Sequence, residues 1–256
     1  MDWRPTRLLA FACALGLGLA APAGADILNP SFESGDTSGW STVGDVSVVD
    51  SSFGVTPTDG SFQILLTTNG SSTSATETAM GLFSGTLQTI FNDDIFSPGE
   101  STGSGPIEGS AFQQTFTVTA SGDKITFDYD FLTDESVPES VSTDLLWWHL
   151  DRPVGADMSG VIAHVNQPGF SASGTSFASE TGYGTFTINL NRTGVFTLTI
   201  GVSDVDDTFT DTGAVIDAFR LSKSPEPNTF LLLTFGMVGL AWASRRQNLA
   251  QRPPRR

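Results

Sequence analysis

Along residues 124–132 apolar and polar side chains alternate: Ile125, Phe127, Tyr129 and Phe131 point one way, Thr126, Asp128 and Asp130 the other. A period of two marks a strand with one face buried and one wet. Shorter or less regular forms of this signal predict strands over residues 46–49, 61–66, 111–118, 142–150, 161–165, 184–190, 195–202 and 215–221. Asn191-Arg192-Thr193-Gly194, between two of these segments, reads as a hairpin turn. Many short strands with no long amphipathic helix predict an all-β fold, an antiparallel β-sandwich. Residues 67–110 break the pattern, being rich in Gly, Ser and Thr. Within them Leu87, Ile90, Phe91 and Asp94-Ile95 fall at spacings that suit one short helix over residues 85–95. A loop this long inside a compact domain is either a functional lid or a flexible insertion.

Two continuous apolar runs stand outside the alternation, one at each end. Arg4 and Arg7 precede the run 8–21, and Ala23-Gly24-Ala25 supplies a small-x-small site. Residues 1–25 therefore read as a secretory signal peptide cut before Asp26. At the other end Ser224-Pro225-Glu226-Pro227 precedes the uncharged run 229–243, followed by Arg245-Arg246 and a basic stretch 247–256. The two prolines fix φ and withhold amide donors, so the fold should stop there and an extended linker begin. A helix through 229–243 would be slightly short of the ~30 Å hydrocarbon core and could span it with its flanks snorkelling. The arginines beyond it suit the cytoplasmic side, which would leave the rest of the chain outside.

This three-part tail resembles the PEP-CTERM sorting signal of Gram-negative bacteria that make exopolysaccharide. The resemblance covers residues 224–246. It implies recognition of Pro225, Glu226 and Pro227 by an exosortase, a membrane cysteine protease, with Arg245 and Arg246 closing the signal. It further implies export through the Sec machinery, transient anchoring by the C-terminal helix, and delivery to the cell surface or extracellular matrix. An ordinary single-span anchor would share the apolar run and the arginines.

Setting the two ends apart leaves about 200 residues, 26–223, enough for one sandwich with a long insertion. The only cysteine, Cys13, falls within the signal peptide, so the mature domain has no disulfide and no cysteine nucleophile. Residues 26–224 hold 26 acidic and five basic side chains, a net charge of −21. Such a surface repels nucleic acid and anionic lipid and attracts cations. His149 and His164 are the only histidines and lack the spacing of a zinc site. There is also no Gly-x-Ser-x-Gly elbow, phosphate loop or dinucleotide fingerprint. The inventory points away from an enzyme, although so many acids leave a carboxylate pair for glycoside hydrolysis open.

Near the start of the mature chain, Asn29-x-x-Phe32-Glu33-x-Gly35, four residues and Trp40 combine turn residues with two large aromatics that need a core. This stretch resembles the N-terminal edge of galactose-binding-like jelly rolls, which include carbohydrate-binding modules. Residues 214–221 (Ala-Val-Ile-Asp-Ala-Phe-Arg-Leu) resemble their closing strand. The likeness implies adjacent first and last strands, and often one structural Ca2+ where they meet. The matching ligands would be Glu33 and Asp217, with Asp59 as a third.

In Trp147-Trp148-His149, adjacent strand residues face opposite ways, so Trp147 and His149 share one side and Leu146, Trp148 and Leu150 the other. Trp148 is then core. Trp147 either lies beneath a loop or exposes a face that stacks on a sugar ring beside His149 or Asp151. Acidic residues cluster at Asp128, Asp130, Asp134 and Glu135, at Asp144, and at Asp204, Asp206, Asp207 and Asp211. The last group has the density of a calcium loop without the glycine and glutamate of an EF-hand. The resulting expectation is an exported structural or adhesive protein associated with exopolysaccharide, with a specific carbohydrate-binding module or a secreted glycoside-active enzyme as alternatives.

Overall fold

The computed structural model describes residues 26–95, 105–119, 121–137, 144–205 and 208–222. The expected signal peptide with Ala23 and Ala25, the sorting tail with Pro225, Glu226, Pro227, Arg245 and Arg246, and Asp206 and Asp207 lie outside the described residues. Among the described residues no helix is long and apolar enough to cross a membrane.

Two antiparallel sheets face one another. The first holds, in spatial order, β1 (Ser41–Val43), β5 (Pro106–Val118), β12 (Gly194–Val205), β7 (Leu145–Asp151) and β8 (Met158–His164), with β4 (Ser71–Ser72) also pairing with β5. The second runs β2 (Val46–Asp50), β3 (Phe62–Thr67), β13 (Thr212–Ser222), β6 (Asp123–Thr133), β10 (Ser179–Glu180) and β9 (Ser171–Ala172), with β11 (Gly184–Leu190) also on β6. All nine predicted strands are present. The four others have two or three residues each, too short to show a period. The predicted hairpin at 191–194 is corrected: β11 pairs with β6 in one sheet and β12 with β5 and β7 in the other, so this turn carries the chain between layers.

The alternation in β6 is realised as Ile125, Phe127 and Phe131 enter the core between the sheets. Aromatic rings bridge the layers: Phe112 of β5 meets Phe219 of β13 at 6.0 Å, and Trp148 of β7 meets Phe186 of β11 at 5.9 Å. The segment 27–40 plugs one end. Phe32 and Trp40 pack on Phe112 and Phe219, with the Trp40 and Phe219 centroids 4.9 Å apart. Gln114, an inward polar residue in an otherwise apolar row, holds this plug. Its side chain accepts from the Leu28 amide at 2.7 Å and donates to the carbonyls of Leu28 and Gly39 at 3.0 and 2.9 Å. That inward glutamine is why the 111–118 alternation is unclean.

The predicted adjacency of first and last strands is likewise corrected. β1 pairs with β5, whereas β13 meets the plug through one backbone bond, Phe219 N–H to the Pro30 carbonyl at 2.9 Å. A bulge makes this contact. The pairing of β13 with β6 slips between Asp217 and Arg220, and Ala218 sits at φ 56°. The extra residue shifts the strand's phase, so that both Ile216 and Phe219 face inward.

The outer face of the second sheet is covered by its own loops, with Val55 and Phe177 packing on Leu65, Leu132 and Val215. Asp130 is enclosed there, 1% exposed, accepting from the Thr181 hydroxyl at 3.1 Å. Burial, aided by the nearby Glu180 carboxylate, raises its carboxyl from 3.8 to about 6. A carboxyl raised on folding stabilises fully below its unfolded value, and this contribution is lost as pH climbs through the folded one. Asp130→Asn should therefore match wild type near pH 3.5 and exceed it at pH 7 by up to ~3 kcal/mol, read from urea unfolding at the two pH values.

Candidate functional site

The insertion folds as two helices, α1 (Thr73–Met80) and α2 (Thr86–Ile95), laid on the outer face of the first sheet. Glu77 joins them. Its carboxylate, buried in α1, accepts from the amides of Gly85 and Leu87 at 3.0 and 2.9 Å, which satisfies donors at the start of α2. Leu87, Ile90, Phe91 and Met80 then close over Trp147, which is 0% exposed. The indole N–H donates to Ser203 Oγ at 2.9 Å. Directly opposite Trp147, Gly201 supplies the needed space, since a Cβ there would lie 2.4 Å from the indole. Of the two alternatives for Trp147 the covered one is realised, and the open stacking face is not: it is the floor on which the insertion docks.

One step along the strands the cover ends and a cleft begins. Cross-strand pairing arranges two polar rows on the exposed face. Gln113, Thr199, His149 and Ser159 form the first, and Thr115, Thr197 and Asp151 the second. Thr199 donates to Gln113 Oε1 at 3.2 Å, and the Thr115 and Thr197 hydroxyls lie 2.9 Å apart. Met80, Leu82 and Phe83 wall one side, and Arg152, Gly155 and Asp157 the other, enclosing about 450 Å³. Phe83 is 79% exposed, an apolar surface at the rim.

His149 fulfils its prediction of sharing a face with Trp147, but lies at the open end. Its side chain is 10% exposed, with Nε2 3.8 Å from Asp157 Oδ2 and Nδ1 buried without a hydrogen-bond partner. Burial lowers its pKa below 6.5, opposed by Asp157 and Asp151. The imidazole is therefore neutral at pH 7, able to donate from one nitrogen and accept at the other. Sequence reasoning missed Gln113, Thr115, Thr197, Thr199, Asp157 and Phe83. The outward threonines of 195–202 carried a signal, but only the pairing of β5, β12 and β7 shows them side by side.

Glu33, Asp59 and Asp217 come to one corner, where the plug meets β13, yet each carboxylate is engaged by protein donors. Glu33 Oε1 accepts from the amides of Ser61 and Phe62 at 2.8 and 2.9 Å. Asp217 accepts from the amides of Asp59 and Ala218 at 2.8 and 2.6 Å, and Asp59 from the Ser31 hydroxyl at 2.8 Å. Gly60, at φ 76°, makes room, since a Cβ would lie 2.2 Å from the Glu33 carboxyl carbon. Among the described residues no group of three or more His, Cys, Asp or Glu is placed to hold a metal ion. This donor set does not fit the expected calcium cage; it is a hydrogen-bonded clip. Asp204 lies not in a loop but buried in β12, and Asp144 accepts from the Val205 amide at 3.0 Å and from the Thr212 hydroxyl.

Fold and site together define an antiparallel β-sandwich with an open polar cleft on one sheet. The PEP-CTERM protein-sorting motif matches residues 225–246. The chain thus carries a C-terminal sorting signal and is an exported protein sorted by an exosortase. No curated protein matches it. Among solved structures it is similar to TmCBM61 in complex with beta-1,4-galactotriose, at 15% identity and TM-score 0.43, covering 78% of this chain and 99% of that one. It is also similar to a carbohydrate-binding module of the beta-sandwich superfamily, at 13% identity and TM-score 0.38, covering 78% and 64%. The enzymatically active domain of bacteriophage CBA120 tailspike protein 4 matches at 12% identity and TM-score 0.37, covering 77% and 21%.

Asp217→Asn keeps one acceptor oxygen of two, so one of the amides of Asp59 and Ala218 loses its acceptor and meets an NH2 group instead. Asp217→Asn should lower stability by ~1–3 kcal/mol, and by the same amount in excess calcium and in chelator, as measured by thermal melting. A calcium-dependent midpoint in wild type that disappears in the variant would restore the metal reading.

Proposed function

We propose that this protein is a non-catalytic glycan-binding component of the cell surface or extracellular matrix of a Gram-negative bacterium, associated with its exopolysaccharide. The observation that carries this reading is the cleft. Two rows of hydroxyl, amide, imidazole and carboxylate groups on rigid strands match the dense hydroxyls of a sugar, which need both donors and acceptors. Phe83, at the rim, supplies an apolar surface for the face of a pyranose ring. The floor rests on paired strands, so little ordering is required on binding. The role is structural or adhesive.

Binding of soluble oligosaccharides, followed by isothermal titration, tests the cleft. Phe83→Ala and Gln113→Ala should each weaken binding about tenfold, or ~1.4 kcal/mol, with unfolding midpoints close to wild type. Unchanged affinity in both variants would remove the cleft from the reading, and product release from the oligosaccharide would replace binding with turnover.

The processing arm is tested separately. Mass spectrometry of surface-exposed protein should find a chain that ends near residue 225 and lacks residues 230–256. Intact protein still embedded in membrane would indicate a plain anchor.

A further inference from the structure

The exported domain is strongly acidic, and its few cations are unevenly used. Among the described residues Arg220 pairs with Asp128 at 3.6 Å, while Arg152 and Arg192 form no ion pair. Yet these two lie together. Arg152 lines the cleft, and with Asn189, Asn191 and Arg192 it lines a small adjoining hollow. A Cβ placed on Gly155, which lines the cleft, would be 3.7 Å from the Arg192 guanidinium carbon.

The backbone fixes this meeting. Gly194, at φ 133°, packs against Pro153 so closely that a Cβ there would lie 2.6 Å from the proline Cγ. That contact brings the turn carrying Arg192 onto the loop carrying Arg152 and Gly155. Among the described residues no carboxylate forms an ion pair with either guanidinium, although Asp151 and Asp157 also line the cleft. Asp157 accepts from the Arg152 main-chain amide at 3.2 Å and its other oxygen faces His149. The Arg152 Nε is buried without a hydrogen-bond partner, as is His149 Nδ1 on a side chain nine-tenths enclosed. Two like charges held side by side, with a buried donor unused, carry a cost that an anion between them would relieve.

We infer that Arg152 and Arg192 form an anion-reading subsite at one end of the cleft, so that the glycan recognised carries an acidic substituent. A guanidinium presents paired N–H donors that match two oxygens of a carboxylate or a sulfate ester. The substrate class is therefore an acidic polysaccharide. Repulsion from the rest of the domain is screened beyond about 8 Å at physiological salt, whereas the two guanidiniums act at contact distance. This inference rests on the reading of the cleft as a glycan site.

The experiment uses the exported protein and three probes of equal length: a neutral oligogalactan, an oligogalacturonate and a sulfated oligogalactan, each titrated calorimetrically. The acidic probes should bind at least tenfold more tightly than the neutral one. A preference for galacturonate over sulfate assigns the substituent as a carboxylate, and the reverse as a sulfate ester. Arg192 is exposed, so Arg192→Gln should fold normally. It should cost about tenfold on the acidic probe and less than twofold on the neutral one, with Arg192→Lys retaining part of the preference. Arg152→Gln should weaken the acidic probe further. Equal affinity for neutral and acidic probes, or equal loss on both in Arg192→Gln, would overturn the subsite and leave the glycan cleft standing. Failure of all three probes to bind would overturn both.

Discussion

The sandwich is closed without a covalent tie, and the closure depends on the meeting of the 27–40 plug with the bulge in β13. Phe32 and Trp40 fill the end of the core, each burying apolar surface worth roughly 1.5–3 kcal/mol for a large side chain. They find a partner in Phe219 only because the extra residue at Ala218 reverses the strand's phase. The bulge in turn needs Asp217, whose carboxylate takes the amide of the next residue and that of Asp59. Glu33 and Gln114 complete the joint from the other side. A domain with no disulfide thus secures its N-terminal segment by charged and amide acceptors around an aromatic knot.

The cleft inherits its shape from this framework. Trp147, Gly201 and Ala111 form an apolar row on the first sheet that demands a cover, and α1 and α2 supply it. The following rows are polar and need none. The border between dock and cleft is set where side chains on three neighbouring strands change character together, one residue pair along the sheet. Glu77 then fixes the helices to one another, so that Met80 to Phe83 stand as a wall.

Much of this could be read in the chain because period-two patterning reports which face of a strand is buried. The nine strands and the core role of Trp148 follow from it, and the short helix within 85–95 follows from the helical spacing of Leu87, Ile90 and Phe91. What escaped has a common physical origin. The 191–194 turn has hairpin chemistry, but pairing partners are chosen over the whole chain. Helix α1 is rich in Thr and Ser, with only Thr76, Glu77 and Met80 buried, and its stability comes from packing on β5 rather than from propensity. Trp147 carries no mark that separates an open aromatic from one covered by a segment some sixty residues earlier. Glu33, Asp59 and Asp217 meet at one corner, where amides and hydroxyls, invisible in a pattern of side chains, donate to Glu33 Oε1, Asp59 Oδ2 and both Asp217 oxygens.

The position of β13 has a consequence for the order of events during synthesis. It lies between β3 and β6, bonded to both, so the second sheet lacks its middle until the last described residues have been made. The aromatic knot is equally incomplete without Phe219. Strands made early must wait, paired only locally, for a segment made last, which places this chain among slow folders dominated by distant contacts. The sorting motif begins three residues beyond β13. Completion of the fold and arrival of the address therefore fall close together in time, and a chain cut within β13 would lack both the middle of its second sheet and its address.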